Sequence, residues 1–465
     1  MRVPQSLDNY RTGHVAWQLH TGLSGEYTVR MRAPAAPKHV VIVGAGFGGV
    51  YAYLTLHRKL HGTGRVEVTL VSPTDTFLFT PLIHEVATGS LSPSGVVQSL
   101  RVLPRCCLRR FILRSAEVID AERQIVHVRL AGTPGDPEVP ADDTIEVPYD
   151  YLILAAGSEP NFFDVSGARE YALTLGSIAD ARALKNHVIE RFERAQTLPD
   201  PSDQKRELSF VIVGGGPTGV ELAGELADFV HRALVPAFAR LADHPRIVLL
   251  ERGSELLKRG IGEWFSHRAT ALLQHKKGVY VLYESPARAV TPEGVATDRG
   301  FVFGKTVIWA AGVRARDVEV HSTRTVERER ATNRIRVDDH LTVPGYPNVF
   351  VVGDQAWACD RERREPYPMR AQFAVREGKH VARSIVRLLD GRLLERFSFR
   401  EKGFIISLGR GGALARLFGI RFSGPLAWVA YRLAYLSSMV GWRTRLRTAL
   451  EWMLNMFLPR DIAKL

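Results

Sequence analysis

Cysteine is scarce in this sequence, which contains only Cys106, Cys107 and Cys359 among its 465 residues. No two of them are spaced as CxxC, and the four-cysteine pattern of a metal or iron–sulfur site is absent. The sequence therefore argues against disulfide reduction by a redox-active cysteine pair, and it predicts no metal site. So few cysteines also fit a reducing compartment.

Long apolar stretches are missing as well. Residues 1–37 contain no apolar segment of the signal-peptide kind, and we expect a flexible tail there. The most apolar window, residues 422–442, is interrupted by Arg432, one proline and two glycines. A membrane-spanning helix is therefore not the favoured interpretation of this window.

Acidic residues are too few to balance the basic ones: 49 Asp and Glu stand against 62 Lys and Arg, which gives a net charge of +13. This excess favours an anionic partner such as acidic lipid, a phosphorylated ligand or nucleic acid, although a basic surface can also serve solubility alone. No recognisable DNA-reading motif accompanies the charge, so we predict no nucleic-acid partner.

Glycine is plentiful, by contrast, and two segments use it in the same way. Residues 38–49 and 208–219 each run from a β-branched stretch into a glycine loop and then into helix-forming sequence. Such a loop lets the backbone approach a pyrophosphate, and the helix N-terminus behind it supplies free N–H groups. In this context the GxGxxG spacing predicts one dinucleotide at each loop. The glycines are Gly44, Gly46 and Gly49 in the first loop and Gly214, Gly216 and Gly219 in the second.

The two halves of the chain correspond beyond their loops. Each loop helix is followed by a second strand, residues 65–71 and 246–250, and each half has a closing strand that ends in a glycine, Gly157 or Gly312. Strands that alternate with helices form parallel sheets covered on both faces. The sequence therefore predicts an α/β fold with two Rossmann-like dinucleotide-binding domains.

Residues at strand ends indicate which loop holds which cofactor. Glu251 follows the second strand of the second half, where an acid binds ribose hydroxyls and would repel a 2′-phosphate, which indicates NADH rather than NADPH. Ser72 has the equivalent place in the first half and can still hydrogen-bond a ribose. A further strand ends in Gly353 and Asp354, and this aspartate can accept hydrogen bonds from the ribityl chain of FAD; its alternative role is a helix N-cap. We therefore place FAD at the first loop and NADH at the second.

With these features the chain resembles the flavoproteins that have two dinucleotide-binding domains. Within them it resembles the type II NADH dehydrogenases, the non-pumping NADH:quinone oxidoreductases. The resemblance extends from about residue 40 to residue 461, and four segments carry it. They are FTPLIHEVATG at 79–89, beside the flavin in that family; VGGGPTGVELAGE at 213–225, its NADH loop; AQFAVREG at 371–378, where the family has its quinone motif AQxAxQxG; and the membrane-associating tail at 424–461.

The resemblance implies roles for particular residues. Thr80 and Pro81 would bind the flavin, and Gln372 would lie near the flavin and the quinone head group. Arg376 stands where the family has a second glutamine, so it keeps hydrogen-bond donors, loses the acceptor and adds a fixed charge. It would stabilise a developing quinol oxyanion or indicate a different acceptor, and the alternative is a surface arginine. Glu221 would lie near the nicotinamide, or would act only through the electrostatics of the helix N-terminus.

The end of the chain predicts a helix over residues 443–458. Leu446, Leu450, Met453 and Phe457 share one face of it, with arginines and tryptophans nearby. This composition is typical of a helix that lies in a membrane surface, here one of anionic lipid. A dimer interface is the alternative, and the resemblance implies both.

We therefore predict a homodimeric flavoenzyme that is peripheral to the cell membrane at its cytoplasmic face. It would transfer a hydride from NADH to FAD and two electrons on to a quinone, without pumping protons. Two rivals remain: a soluble NADH-dependent reductase of an electron-carrier protein, and a flavoprotein whose redox state switches the binding of a macromolecular partner. The predicted segments are a tail at 1–37, an FAD domain at 38–160 and 331–396, an inserted NADH domain at 161–330, and an α-helical membrane-association and dimerisation region at 397–465.

Overall fold

The computed structural model describes residues 19–21, 27–29, 36–104, 107–129, 144–257, 261–362, 364–399, 401 and 403–464. Most of the predicted tail at 1–37 lies outside these ranges, as does Cys106. The chain divides into two compact units, of which the first comprises Met1–Asp75, Arg101–Gly157 and Asp317–Ser398 and the second Thr76–Leu100, Ser158–Arg316 and Phe399–Leu465. Residues 76–100, predicted to belong to the FAD domain, are thus grouped with the second unit. The domain boundaries stay a prediction.

A six-stranded sheet forms the centre of the first unit. Its central strands are rich in buried Val, Ile and Leu residues, as expected for a sheet that is covered on both faces. The edge strand Thr342–Val343 is antiparallel to its neighbour, and the other strands run parallel. The order across the sheet is Thr342–Val343, Tyr346–Val351, Tyr151–Leu154, Lys38–Val43, Val66–Ser72 and Leu108–Leu113.

Two long helices, Phe47–Leu60 and Ala371–Leu389, pack against each other in the first unit. Their backbones approach closely where Gly378 meets Gly48, because a Cβ atom at Gly378 would lie 2.2 Å from the Gly48 carbonyl oxygen. The smaller sheets of this unit are Thr144–Pro148, Ile125–Arg129, Ala116–Asp120 and Glu319–His321; Ile335–Arg336 with Ala356–Trp357; Cys359–Asp360 with Glu365–Pro366; and Leu19–Thr21 with Tyr27–Val29.

The second unit is built on a five-stranded parallel sheet. The order across it is Ala172–Leu173, Thr306–Trp309, Ser209–Val213, Arg246–Leu250 and Val279–Leu282. Its helices include one that follows the second glycine loop, Pro217–Phe229, and one capped by the Ser177 hydroxyl, which accepts the Asp180 N–H at 3.1 Å. The described α-helices of this unit are Ile83–Ala87, Pro93–Val96, Ala168–Tyr171, Ile178–Thr197, Pro201–Glu207, Pro217–Phe229, Val235–Ala237, Glu263–Ala271, Pro425–Ser438 and Trp442–Leu454.

Shorter elements complete the second unit. Its antiparallel sheets are Thr76–Leu78 with Val97–Ser99; Ser158–Pro160 with Val313–Ala315; Ala287–Thr291, Gly294–Thr297 and Gly300–Phe303; and Gly403–Ser407, Ala413–Leu417 and Ile420–Ser423. The 3₁₀ and π turns in the described part of the chain are Thr80–Leu82, Leu100–Val102, Val230–Leu234, Ala239–Leu241, Leu272–Lys276 and Gly353–Gln355.

The α/β fold, with one largely parallel and one parallel sheet and a helix after each glycine loop, confirms the predicted fold class. The predicted C-terminal helix is also present, but it ends earlier than expected, at Leu454. A three-stranded antiparallel sheet at 403–423 precedes the C-terminal helices, and the sequence analysis did not predict it. Within the described ranges, no helix has both the length and the apolar character needed to cross a bilayer.

Candidate cofactor sites

The first glycine loop lies between the strand Lys38–Val43 and the helix Phe47–Leu60. Gly44 has φ +99°, and a Cβ atom there would lie 2.1 Å from the Ala155 carbonyl oxygen. A Cβ atom at Gly49 would lie 1.9 Å from the Gly44 oxygen. These two glycines are therefore required by the folding of the loop itself.

The second glycine loop has the same construction. Gly214 has φ +114°, and its Cβ atom would lie 2.6 Å from the Ala310 oxygen. A Cβ atom at Gly219 would lie 1.9 Å from the Gly214 oxygen. The correspondence between the two halves, predicted from sequence, thus extends to the packing of their loops.

Gly46 and Gly216, the middle glycines, are different. Their φ angles of −78° and −75° suit any residue, and a Cβ atom at either position would meet no heavy atom within 4 Å. The fold itself therefore gives no reason for glycine at these two positions. Open space beside the N-terminus of a long helix is what a pyrophosphate needs. Both loops accordingly fit a dinucleotide.

Other predicted residues of the first unit lie at strand ends. Ser72 ends the strand Val66–Ser72 and is buried; its hydroxyl accepts the Thr74 N–H at 3.3 Å. Gly157, with φ +75°, follows the strand Tyr151–Leu154 and accepts the Gln355 side-chain N–H at 2.7 Å. Gly353 and Asp354 follow the strand Tyr346–Val351 in a 3₁₀ turn. That turn begins at Gly353, so Asp354 is not the N-cap of a helix.

Glu377 contacts the 3₁₀ turn Gly353–Gln355, and no sequence pattern predicted a role for it. It is buried, and its carboxyl accepts the Gly353 N–H at 2.5 Å. Burial raises the pKa of Glu377 from its ordinary value near 4.5 to about 8, and the charge of Asp354 adds to the rise. The folded protein therefore keeps this carboxyl neutral near pH 7.

A pH dependence of stability follows from Glu377. Because its folded pKa lies above its unfolded pKa, the folded state holds a proton that the unfolded state releases between about pH 4.5 and 8. We expect the Glu377→Gln variant to lose less stability than the wild type as the pH rises through this window. The difference in slope is at most about 1.4 kcal/mol per pH unit. Chemical denaturation at a series of pH values measures it.

A matched control is the exposed Glu362 in the same unit, because Glu362→Gln removes a carboxyl that the fold does not bury. We expect its stability to follow the wild-type pH profile. Equal slopes for the wild type and Glu377→Gln would contradict the assignment.

Gln372 and Arg376 lie one turn apart on the helix Ala371–Leu389. Gln372 is partly buried in the first turn, whereas Arg376 is exposed. The charge of Arg376 is close enough to Lys379 to contribute to a lowered pKa of that lysine, after the larger effect of its burial. The motif therefore presents a neutral amide followed by positive charge.

The second unit places its predicted residues around the second loop. Glu251 follows the strand Arg246–Leu250, and its carboxylate accepts the N–H groups of Gly215 at 2.9 Å and Gly253 at 2.6 Å. Glu251 is thus held against the loop at the place where a ribose is expected. Gly312 has φ +152° after the strand Thr306–Trp309, and its Cβ atom would lie 3.1 Å from the Phe163 ring.

Thr80 and Pro81 lie in the 3₁₀ turn Thr80–Leu82, which leads into the helix Ile83–Ala87. Thr80 is exposed and Pro81 is partly buried. Both residues belong to the second unit, and their predicted contact with the flavin stays a prediction.

Glu221 lies in the helix Pro217–Phe229, behind the second loop. One of its carboxyl oxygens accepts the Ser407 N–H at 3.3 Å. Burial raises the pKa of Glu221 to about 8, and the charges of Glu85 and Glu225 raise it further despite that hydrogen bond. A protonated carboxyl at neutral pH is a proton donor.

Glu221, which is partly exposed, adjoins a buried polar cluster in the second unit. Burial, together with the charge of Glu225, raises the pKa of Glu85 to about 7, although Trp452 Nε1 donates to its carboxyl at 2.7 Å. Burial lowers the pKa of the neighbouring His84 to about 4, so this imidazole is neutral. The cluster therefore holds a carboxyl that titrates near neutral pH beside a neutral imidazole.

The other end of the cluster is charged. Arg460 donates to the Glu225 carboxylate at 2.7 Å and to the carbonyl oxygens of Thr88 and Glu225. Although burial opposes it, the charge and the hydrogen bond of Arg460 hold the pKa of Glu225 below its usual value. Lys277 donates to the buried Asp228 at 2.6 and 2.7 Å.

Apart from Glu221, the residues of this cluster were not predicted from the sequence. One signal was available: Glu221, Glu225 and Asp228 follow at intervals of four and three residues, which places three acids on one face of a helix. Arg232 pairs locally with Asp228 at 3.2 Å, but the partners Lys277 and Arg460 come from segments far away in the chain, and no local pattern indicates these two.

Comparisons with known proteins agree with this geometry. Residues 38–378 match the pyridine nucleotide-disulphide oxidoreductase family. The chain is 33% identical over 432 residues to the type II NADH:quinone oxidoreductase Ndh of Mycobacterium tuberculosis, covering 90% of this chain and 88% of that protein. It is 30% identical over 434 residues to a probable NADH dehydrogenase of Dictyostelium discoideum, covering 91% of this chain and 90% of that protein.

Solved structures show the same fold. The structure of NDH2 from Plasmodium falciparum in complex with NADH superposes with a TM-score of 0.81, at 20% identity, over 92% of this chain and 100% of that one. At this low identity the structural match shows the fold alone, whereas the relatives found by sequence also establish the family. This chain therefore belongs to the type II NADH:quinone oxidoreductases, within the pyridine nucleotide-disulphide oxidoreductase family.

Proposed function

We propose that this protein oxidises NADH and reduces a quinone through bound FAD, at a membrane surface and without pumping protons. The observation that carries the proposal is the pair of glycine loops. Each has a middle glycine that nothing in the fold requires and beside which space is open. A chain with two such loops and no CxxC has two dinucleotides and no cysteine pair to pass electrons to.

The strand ends support the assignment of the two cofactors. Glu251 favours NADH in the second unit, because a carboxylate accepts hydrogen bonds from ribose hydroxyls and repels a 2′-phosphate. Asp354 favours FAD in the first unit, where Glu377 holds the turn in place through the Gly353 N–H. FAD, when bound, supplies the chemistry that accepts a hydride and releases two electrons to an acceptor.

Gln372 and Arg376 are proposed to act on the quinone. Gln372 offers both a donor and an acceptor to a quinone carbonyl. Arg376 would stabilise negative charge that develops on the same substrate. Glu221, with its pKa raised to about 8, is proposed to lie near the nicotinamide behind the second loop.

The C-terminal helices support a peripheral position on a membrane. The helix Trp442–Leu454 buries Thr444 and Thr448 and exposes Leu446 and Leu450, the reverse of a water-facing helix. The Thr448 hydroxyl donates to the Gly95 oxygen at 2.6 Å, so the polar face is fixed inward. The outward apolar face is suited to the acyl boundary of a bilayer.

The basic residues of this helix favour a surface of anionic lipid. Arg443, Arg445 and Arg447 are exposed on the same helix, where they would meet acidic headgroups. An anionic leaflet and the reducing conditions that suit few cysteines are features of the cytoplasmic side, and we therefore propose the cytoplasmic face of the cell membrane. We also propose a homodimer, as the resemblance implies.

Steady-state NADH oxidation by the purified flavoprotein, with and without a short-chain quinone, tests the proposal. We expect quinone to accelerate turnover strongly over oxygen alone. In Arg376→Gln we expect kcat with quinone to fall about tenfold, because a charge-assisted hydrogen bond is replaced by a neutral one. Flavin content and bleaching of the flavin by NADH should not change.

Arg383→Gln is the matched control, because Arg383 is an exposed arginine two turns further along the same helix. It should behave as the wild type. Equal losses in both variants would mean that only the general positive charge matters. Bleaching by NADH without quinone-dependent turnover would instead favour an electron-carrier protein as acceptor.

A further inference from the structure

A hairpin near the C-terminus has an apolar tip that the fold does not explain. Its strands are Ala413–Leu417 and Ile420–Ser423, and Phe418 and Gly419 form the turn between them. The hairpin belongs to the three-stranded sheet of the second unit, and the sheet packs on the helix Pro425–Ser438. Three features of this hairpin each cost stability or solubility.

The first feature is the backbone at Phe418. Both turn residues have positive φ angles, +50° for Phe418 and +87° for Gly419. A two-residue turn of this kind strongly prefers asparagine, aspartate or glycine at its first position, because a bulky side chain is strained there. Phenylalanine at this position is therefore a poor choice for folding.

The second feature is exposure. Phe418 is 85% exposed and Ile420 is 69% exposed. Two adjacent large apolar side chains at the tip of a hairpin are a liability in water. Polar residues at these two positions would make the hairpin more soluble.

The third feature is like charge. Arg416 and Arg421 are directly opposite each other in the register of the hairpin, and such a pair is destabilising. Arg416 is partly compensated by Glu401 at 3.6 Å, whereas Arg421 is exposed. The two arginines flank the apolar tip as a basic collar.

We infer that this hairpin is a membrane anchor whose tip, Phe418 and Ile420, inserts into the acyl boundary of an anionic bilayer while Arg421 meets the headgroups. An apolar tip above a basic collar suits such a boundary, where the apolar part is buried and the cations pair with phosphate. The helix that follows directly in the chain, Pro425–Ser438, also exposes apolar side chains, namely Leu426, Val429 and Leu433. The inference rests on the proposed membrane association. It gives the protein a second contact with the membrane, in addition to the helix Trp442–Leu454.

Phe418→Asn separates insertion from folding. Asparagine before glycine is the preferred pair for this turn, so the variant should be at least as stable as the wild type. In flotation with vesicles of phosphatidylcholine and phosphatidylglycerol, we expect its affinity to fall about tenfold, which is the loss of one buried aromatic side chain. NADH oxidation with a short-chain quinone in detergent should be unchanged.

Two further variants complete the test. Arg421→Gln should weaken binding to vesicles that contain phosphatidylglycerol and leave binding to pure phosphatidylcholine unaltered. Leu393→Asn removes an apolar side chain of the first unit that is 87% exposed. This control variant should bind both kinds of vesicle as the wild type does.

The outcomes are distinct. Wild-type affinity of Phe418→Asn for the vesicles would overturn the inference while leaving the proposed membrane association intact. Failure of the wild-type protein itself to bind vesicles would overturn both. A change of Phe418→Asn from dimer to monomer in sedimentation would show that the tip contacts a second copy of the chain, which also overturns the inference.

Discussion

The Gly46→Val variant is expected to fold and to contain on the order of one tenth of the wild-type flavin or less. The backbone at position 46 suits any residue, and a Cβ atom there meets no heavy atom within 4 Å, so folding should tolerate a small side chain. It would, however, occupy the space that a pyrophosphate needs, and a loss of ~1.4 kcal/mol or more in binding lowers affinity at least tenfold. Flavin absorbance per protein and the thermal melting temperature of the protein measure the two effects.

Gly216→Val is the matched variant in the second unit, where the loop has the same construction. It should keep its flavin and raise the KM for NADH about tenfold or more. Gly49→Ala, in contrast to both valine variants, should prevent the first loop from folding, because its Cβ atom would lie 1.9 Å from the Gly44 oxygen. Loss of flavin from Gly216→Val, with retention in Gly46→Val, would reverse the assignment of the two sites.

The Arg460→Ala variant should lower the free energy of unfolding by about 3–5 kcal/mol. Arg460 is nearly buried and is paired at 2.7 Å with Glu225, which is itself almost inaccessible. Removing the guanidinium leaves a carboxylate in a low-dielectric interior and also removes the donor to the oxygens of Thr88 and Glu225. Denaturant unfolding of the flavin-loaded protein measures the loss.

Arg299→Ala is the control for this prediction. Its partner Glu284 is as exposed as Arg299 itself, and a surface pair of this kind contributes about 0–1 kcal/mol. The double variant Arg460→Ala with Glu225→Gln should regain part of the lost stability, because the unpaired charge is gone. A loss below about 1 kcal/mol for Arg460→Ala alone would mean that Glu225 is not held as a buried anion.

The glycine loops were predictable because they are local. Each occupies a dozen consecutive residues, and the strand, loop and helix that it joins are adjacent in the chain. Ser72, Glu251 and Gly353 were also found at strand ends as expected, since the end of a buried β-branched run is visible in sequence.

The charged interior was not predictable in the same way. Trp452 and Glu85 are 367 residues apart in sequence, and only the folded chain brings them together. Glu377 looked like an ordinary helical residue beside Arg376, because burial of a carboxyl leaves no local mark. The sheet at 403–423 was overlooked since its strands are short and are interrupted by glycines and arginines.

The central claim is that electrons pass from NADH to protein-bound FAD and then to a quinone. The most direct measurement is an anaerobic sequence of two mixings, first of the purified flavoprotein with NADH and then with a short-chain quinone, followed by flavin absorbance. We predict rapid bleaching by NADH and full recovery on adding quinone, both fast enough to account for steady-state turnover. A flavin that NADH does not bleach, or that stays bleached in the presence of quinone, would contradict the account.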